Sequence, residues 1–155
     1  MKLSFIIIAG LMILITIYFM YLGIKSHSGS PTGLINHKLS PCPNTPNCVN
    51  SEFKNDTAHF VDAMPYQNQS TDKIIKVIEK SIQRTGGEIT TINETYIAST
   101  YTSKLFRYID DLEIRVDDKN KLIHFRSASR VGRSDFGANI KRINLIKNEL
   151  DILFN

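Results

Sequence analysis

Five prolines and eight glycines in 155 residues are too few for a collagen-like repeat or a Pro-rich disordered chain. No internal repeat is present, and the length allows one domain and hardly a second, which excludes a multidomain machine. There is also no large excess of one charge. The formal +4 shrinks to +2 once Lys2 and Lys25, which flank an apolar run, are set aside, leaving 17 basic against 15 acidic residues. A chain-wide basic surface for nucleic acid is therefore not supported.

What the chain does have is segregation. Leu3 to Ile24 is a run of 22 residues without a charged side chain. As a helix at 1.5 Å per residue it reaches about 33 Å, enough for the ~30 Å hydrocarbon core of a bilayer. A cleavable signal peptide has a shorter apolar region and a small-residue cleavage site, and Tyr18-Phe19-Met20-Tyr21-Leu22 offers none. The reading is a single-pass anchor, with cleavage near Ser26 to Ser30 as the alternative. Lys2 and the terminal amine outweigh Lys25 slightly, which puts the N-terminus in the cytoplasm and the remainder outside it, periplasmic in a bacterium.

Three spans follow: an anchor over 1–25, a flexible tether over 26–38 and a single domain over 39–155. Ser26 to Gly33 is small and polar, and Pro41, Pro43 and Pro46 make Leu39 to Ser51 an ordered loop. His59 to Tyr66 reads as a first short strand. Ile74, Ile75, Val77, Ile78 and Ile82 form one stripe of a helix over Ser70 to Thr85, closed by Gly86 and Gly87. Strand-like runs occupy Glu88 to Ser103, split near Asn93, then Phe106 to Val116 and Leu122 to Ala128. In the middle run Leu112, Ile114 and Val116 alternate with Asp111, Glu113 and Arg115, the pattern of a sheet with one wet face. A final helix carries Phe136, Ile140, Ile143, Ile146, Leu150 and Leu153, with Ser134 or Asp135 as N-cap. The fold class is α+β: two layers, an antiparallel sheet of about four to five strands with two helices, preceded by one N-terminal transmembrane helix.

Residues 126–142, RSASRVGRSDFGANIKR, carry five basic side chains against Asp135 alone. A strand end turning into a helix start points backbone N–H groups at one spot, and guanidiniums suit phosphate or carboxylate. The candidate ligand-binding residues are Arg126, Ser127, Arg130, Arg133, Ser134, Asn139 and Arg142, with the Ser134 to Gly137 amides. The competing reading pairs these arginines with Asp110, Asp111, Glu113 and Asp135 to hold strands to helix. Gly132 to Gly137 has the spacing of a phosphate loop, but Ala138 and Asn139 replace the required Lys and Ser or Thr. Gly-x-Ser-x-Gly fails because Phe136 takes the last position. Asp110 and Asp111 are the candidates for a general base, against a solvated ion-pair lattice. Cys42 and Cys48 enclose five residues, unlike zinc ligands, and His37, His59 and His124 are scattered, so neither a metal nor a cofactor is expected. The two cysteines form either a disulfide or a pair of free thiols.

LSPCPNTPNCVNS (Leu39 to Ser51), FRYIDDLEI (Phe106 to Ile114) and FRSASRVGRSDFGANIKRI (Phe125 to Ile143), in that order, resemble the uncharacterised family catalogued as domain of unknown function 1499. The likeness spans about Leu39 to Asn155. Members commonly show Asn-Arg-x-Arg in the last helix, where this chain has Asn139, Ile140, Lys141 and Arg142. The resemblance implies a soluble domain often attached to a membrane segment, in bacteria and photosynthetic organelles, and implies no activity. It also implies that the Cys42 loop, Asp110 and Asp111, and the Arg126 to Arg142 segment meet in space.

Three functions fit these residues. The first is a non-enzymatic, membrane-tethered domain outside the cytoplasm, binding a small anion, lipid headgroup or acidic partner through Arg126 to Arg142. The second is a hydrolase-like enzyme with Asp110 or Asp111 as base and Arg130 and Arg133 stabilising charge. The third is a structural component of an envelope complex. A concave pocket around a perturbed aspartate marks the enzyme, and an exposed apolar patch beside the arginines marks the interface.

Overall fold

The computed structural model describes residues 2–67 and 69–154, so Met1 and Asn155, the ends of the anchor and domain spans, lie outside the described residues. Helix α1 (Lys2–Ser26) is long and apolar enough to cross a membrane, with mean hydropathy 2.6 and 0% of its apolar stretch buried. That exposure separates it from the core helix of a globular domain. Its C-terminal end is fastened to the fold. A Cβ on Gly23 would lie 2.0 Å from the Phe106 carbonyl oxygen, so only glycine permits this approach. Ser26 Oγ donates to the Gly23 carbonyl at 2.6 Å and accepts from the Ile109 amide at 3.0 Å.

Residues 26–38, expected as a tether, run across one face of the sheet. Asn36 and His37, both at positive φ, turn strand β1 (Leu34–Ile35) back onto β2 (Lys38–Leu39). Strands β3 (Cys48–Asn50) and β4 (Met64–Pro65) both pair with the strand over Leu122–Ser129, and of the expected His59 to Tyr66 strand Met64 and Pro65 join the sheet while Phe60 makes an isolated parallel bridge to Asn50. The preceding residues turn instead, with His59 Nδ1 on the Asp56 carboxylate at 2.8 Å.

Helix α2 (Thr71–Arg84) matches its periodicity, with Ser70 Oγ accepting from the Lys73 amide at the N-cap. Strands β5 (Glu88–Ile92), β6 (Tyr96–Thr102), β7 (Ile109–Asp117) and β8 (Leu122–Ser129) form a meander, and helix α3 (Ala138–Phe154) closes the chain. The sheet is antiparallel and six-stranded, ordered β3-β8-β7-β6-β5 with β4 also on β8. The fold is α+β.

Both helices cover one face. Ile74, Ile78 and Ile82 of α2 and Ile143, Ile146 and Leu150 of α3 pack on Ile97, Leu112, Ile114, Ile123 and Phe125. The stripe expected from Phe136 begins later than the sequence suggests. Phe136 and Gly137 take positive φ, the helix starts at Ala138, and Phe136 is 92% exposed while Ile140 is also exposed.

The opposite face is a correction. The alternation Asp111, Glu113, Arg115 predicts a wet surface, yet Asp111, Glu113, Arg126 and His124 are buried, as is Leu39 above them. The segment 26–40 roofs this face, so a solvated ion-pair lattice is replaced by a buried one.

Candidate functional site

β7 and β8 are paired so that Glu113 stands opposite Arg126 and Asp111 opposite Ala128. On the roofed face, Arg126 Nη1 donates to Glu113 Oε2 at 2.7 Å, and Glu113 also accepts from the Tyr96 hydroxyl, the Thr32 hydroxyl and the Gly33 amide at 2.7–3.0 Å. Burial, and then the Glu113 charge, raise the Tyr96 phenol far above its usual range, so it remains a donor. Arg130 grips Asp111 through Nε and Nη2, at 3.0 and 2.7 Å, and its Nη1 donates to the Ser26 carbonyl at 3.2 Å. That carbonyl ends α1, where a cation complements the helix dipole. Burial pushes the Asp111 carboxyl up, and Arg130 draws it back only in part.

On the helix face, Asn139 at the start of α3 is a hub. Its Nδ2 donates to the Asn47 carbonyl at 2.8 Å and to Ser129 Oγ at 3.1 Å, while its Oδ1 accepts from Ser127 Oγ at 2.6 Å and from Arg142. Arg142 continues to Asp110 Oδ2 at 2.7 Å and lies over the Tyr101 ring, 4.7 Å from its centroid. Asn47 belongs to the loop closed by a Cys42–Cys48 disulfide. The Cys42 loop, the aspartate pair and the Arg126 to Arg142 segment therefore do meet. They do so on two faces, because adjacent residues Asp110 and Asp111 point to opposite sides of β7.

Of the seven residues singled out as ligand contacts, Arg126, Ser127, Arg130, Asn139 and Arg142 are thus engaged internally. The α3 start is also occupied: Asp135 accepts from the Gly137 amide at 3.1 Å and from the Asn139 amide at 2.7 Å, and Ser134 Oγ accepts from the Phe136 amide. Arg133 and Ser134 remain in an exposed loop beside Phe136.

A second grouping escaped sequence reasoning. At the far end of the sheet an open cleft of about 490 Å³ is lined by Lys38, Glu52, Lys54, Arg115, Asp117 and His124. Glu52 Oε1 accepts from Arg115 Nε at 2.6 Å, and Ser51 Oγ lies 3.1 Å from His124 Nδ1. Ser51 Oγ also accepts from the Phe125 amide at 2.8 Å, so its proton points to His124 Nδ1. Burial lowers the His124 pKa, which keeps the ring neutral. Glu52 Oε2 approaches the same nitrogen, at 4.0 Å, so Glu52 does not orient the imidazole from its other side as a serine triad requires. These side chains come from positions 51, 52, 115 and 124, and no local spacing links them.

Among the described residues no group of His, Cys, Asp or Glu is arranged to hold a metal. A comparison with curated proteins gives no match. A family model described as "Protein of unknown function (DUF1499)" matches residues 38–150, from β2 to the last turns of α3 and including both ion-paired faces. The chain belongs to that family.

Proposed function

We propose that this is a non-enzymatic, single-pass membrane protein whose domain lies outside the cytoplasm, periplasmic in a bacterium. It engages a small phosphate-bearing anion, lipid headgroup or acidic partner through the exposed loop of the Arg126 to Arg142 segment. One observation carries the reading: Arg126, Arg130 and Arg142 are each held by a carboxylate, whereas Arg133 sits in an exposed loop with a 92% exposed Phe136. A cation beside a solvent-facing aromatic suits a charged, partly apolar surface. The enzymatic alternative is not favoured, because arginines hold both Asp110 and Asp111.

The disulfide supports an oxidising compartment. Two experiments test the reading. Alkaline phosphatase fused after Asn155 and expressed in a bacterium is active if the domain is exported; an inactive fusion overturns the placement. Sodium phosphate and a short-chain phosphatidylglycerol titrated into the full chain in micelles shift the amide resonances of residues 131–137, and R133Q abolishes the shifts. Unmoved resonances in both titrations overturn the anion site.

A further inference from the structure

We propose that the β6–β7 loop, residues 103–108, is a second membrane contact. Leu105 and Phe106 enter the headgroup–acyl boundary of the bilayer that α1 crosses, and Lys104 and Arg107 lie against anionic lipid phosphates. The inference rests on α1 spanning the membrane.

The Tyr108 hydroxyl donates to the Phe19 carbonyl at 3.2 Å, and the Phe106 ring stacks on the Phe19 ring with centroids 5.3 Å apart. Phe19 lies five residues before Ile24, the last residue of the apolar run, or about 7 Å along the helix axis at 1.5 Å per residue. The run of about 33 Å barely exceeds the ~30 Å hydrocarbon core. With α1 filling the core, the partners of Phe19 sit at or below the boundary. Withdrawing the helix far enough to bring Phe19 into water strips Tyr21 and Ile24 of lipid and draws Lys2 toward the hydrocarbon. The loop cannot instead swing clear, because the Phe106 carbonyl is seated in the notch at Gly23 and His27 Nε2 lies 3.0 Å from the Arg107 carbonyl.

The chemistry of the loop matches that depth. Leu105, at the tip of the loop, is 80% exposed. Beside it, Met20, Ile24, Leu105 and Phe106 line a largely apolar groove of about 350 Å³. Tyr18, Tyr21 and Tyr108 place amphipathic rings where aromatic belts form. Lys25, Lys104 and Arg107 are exposed, and neither residues 1–51 nor residues 95–109 contain an aspartate or glutamate. A surface that is apolar at its tip and purely cationic at its rim fits an anionic lipid interface.

The chain has no tryptophan, so a single introduced one reports its own surroundings. L105W, L11W in mid-helix and I92W at the opposite end of the sheet are each prepared as full chain. They are reconstituted in phosphatidylcholine–phosphatidylglycerol vesicles carrying lipids brominated near or far from the headgroup. L105W is expected to emit to the blue and to be quenched by the shallow bromines, L11W by the deep ones, and I92W by aqueous acrylamide alone. The charge component predicts weaker but not abolished L105W quenching in K104Q/R107Q, or on replacing phosphatidylglycerol with phosphatidylcholine, because the ties to α1 still hold the loop at the boundary; unchanged quenching in both overturns the contact of Lys104 and Arg107 with lipid phosphates. A quenched L11W with an acrylamide-accessible L105W overturns the loop contact and leaves the anchor standing. If L11W itself escapes the lipid bromines, the anchor fails and the loop contact with it.

Discussion

Arg126 and Glu113 face each other across β7 and β8 at 2.7 Å, with 5% and 0% of their side chains exposed. Four donors converge on that carboxylate. Removing one partner of a buried pair leaves an uncompensated charge, a loss of about 3–5 kcal/mol, whereas replacing both by apolar groups costs far less. E113L is therefore expected to lower the denaturant midpoint of the full chain in detergent sharply, and E113L/R126M to recover much of the loss. An equal loss in both variants shows that the pair is not coupled.

Asn139 ties α3, β8 and the disulfide loop through four hydrogen bonds. N139A removes one of the two donors to the Asn47 carbonyl and the nearer acceptor of the Ser127 hydroxyl, about 1 kcal/mol for each lost bond. N139D, isosteric but with an acceptor oxygen in place of the donor Nδ2, loses the bond to the Asn47 carbonyl and spares the Ser127 and Arg142 contacts. The expected order of thermal unfolding temperature is wild type, N139D, N139A.

His124 makes stability pH-dependent. An unfolded histidine titrates near pH ~6.5, and burial holds this one lower in the fold. As pH falls below ~6.5 the unfolded chain binds a proton that the folded chain refuses, so stability drops until the folded pKa is passed, where the slope vanishes. Urea midpoints between about pH 7.5 and 5.5 should decline more for the wild type than for H124N, in which this titration is gone. Parallel declines exclude His124 as the source.

The Cys42–Cys48 bridge has a sequence separation of 6, a short loop whose closure entropy amounts to about 2 kcal/mol. Protein alkylated without reduction should carry no adduct, and C42A/C48A should lose stability of that order. The effect extends beyond the loop because the Asn47 carbonyl receives the Ser129 amide and Asn139 Nδ2. Faster amide exchange at Ser129 is the local signature.

Elements with a strong local period were legible in the sequence. Ile74, Ile78 and Ile82 recur at helical spacing and land on the sheet, and Leu112, Ile114 and Val116 alternate and land under the helices. The failures share a cause. Phe136 continues the spacing of Ile140 and Ile143, but a two-residue turn at positive φ removes it from the helix, which periodicity does not register. The Asp111–Glu113–Arg115 alternation identifies a polar face without saying what lies above it.

By itself, then, the sequence determined the apolar α1, the α+β order of elements and the clustering of arginines, because each depends on neighbours within a few residues. Only the tertiary structure decided that those arginines serve as internal ties. A strand offers its charged face to whatever the rest of the chain supplies, and here residues 26–40 cover it, so Glu113 and Asp111 meet Arg126 and Arg130 out of water. The same long-range placement sets Tyr108 against Phe19, 89 residues apart in sequence, and thereby fixes how the domain sits on its helix.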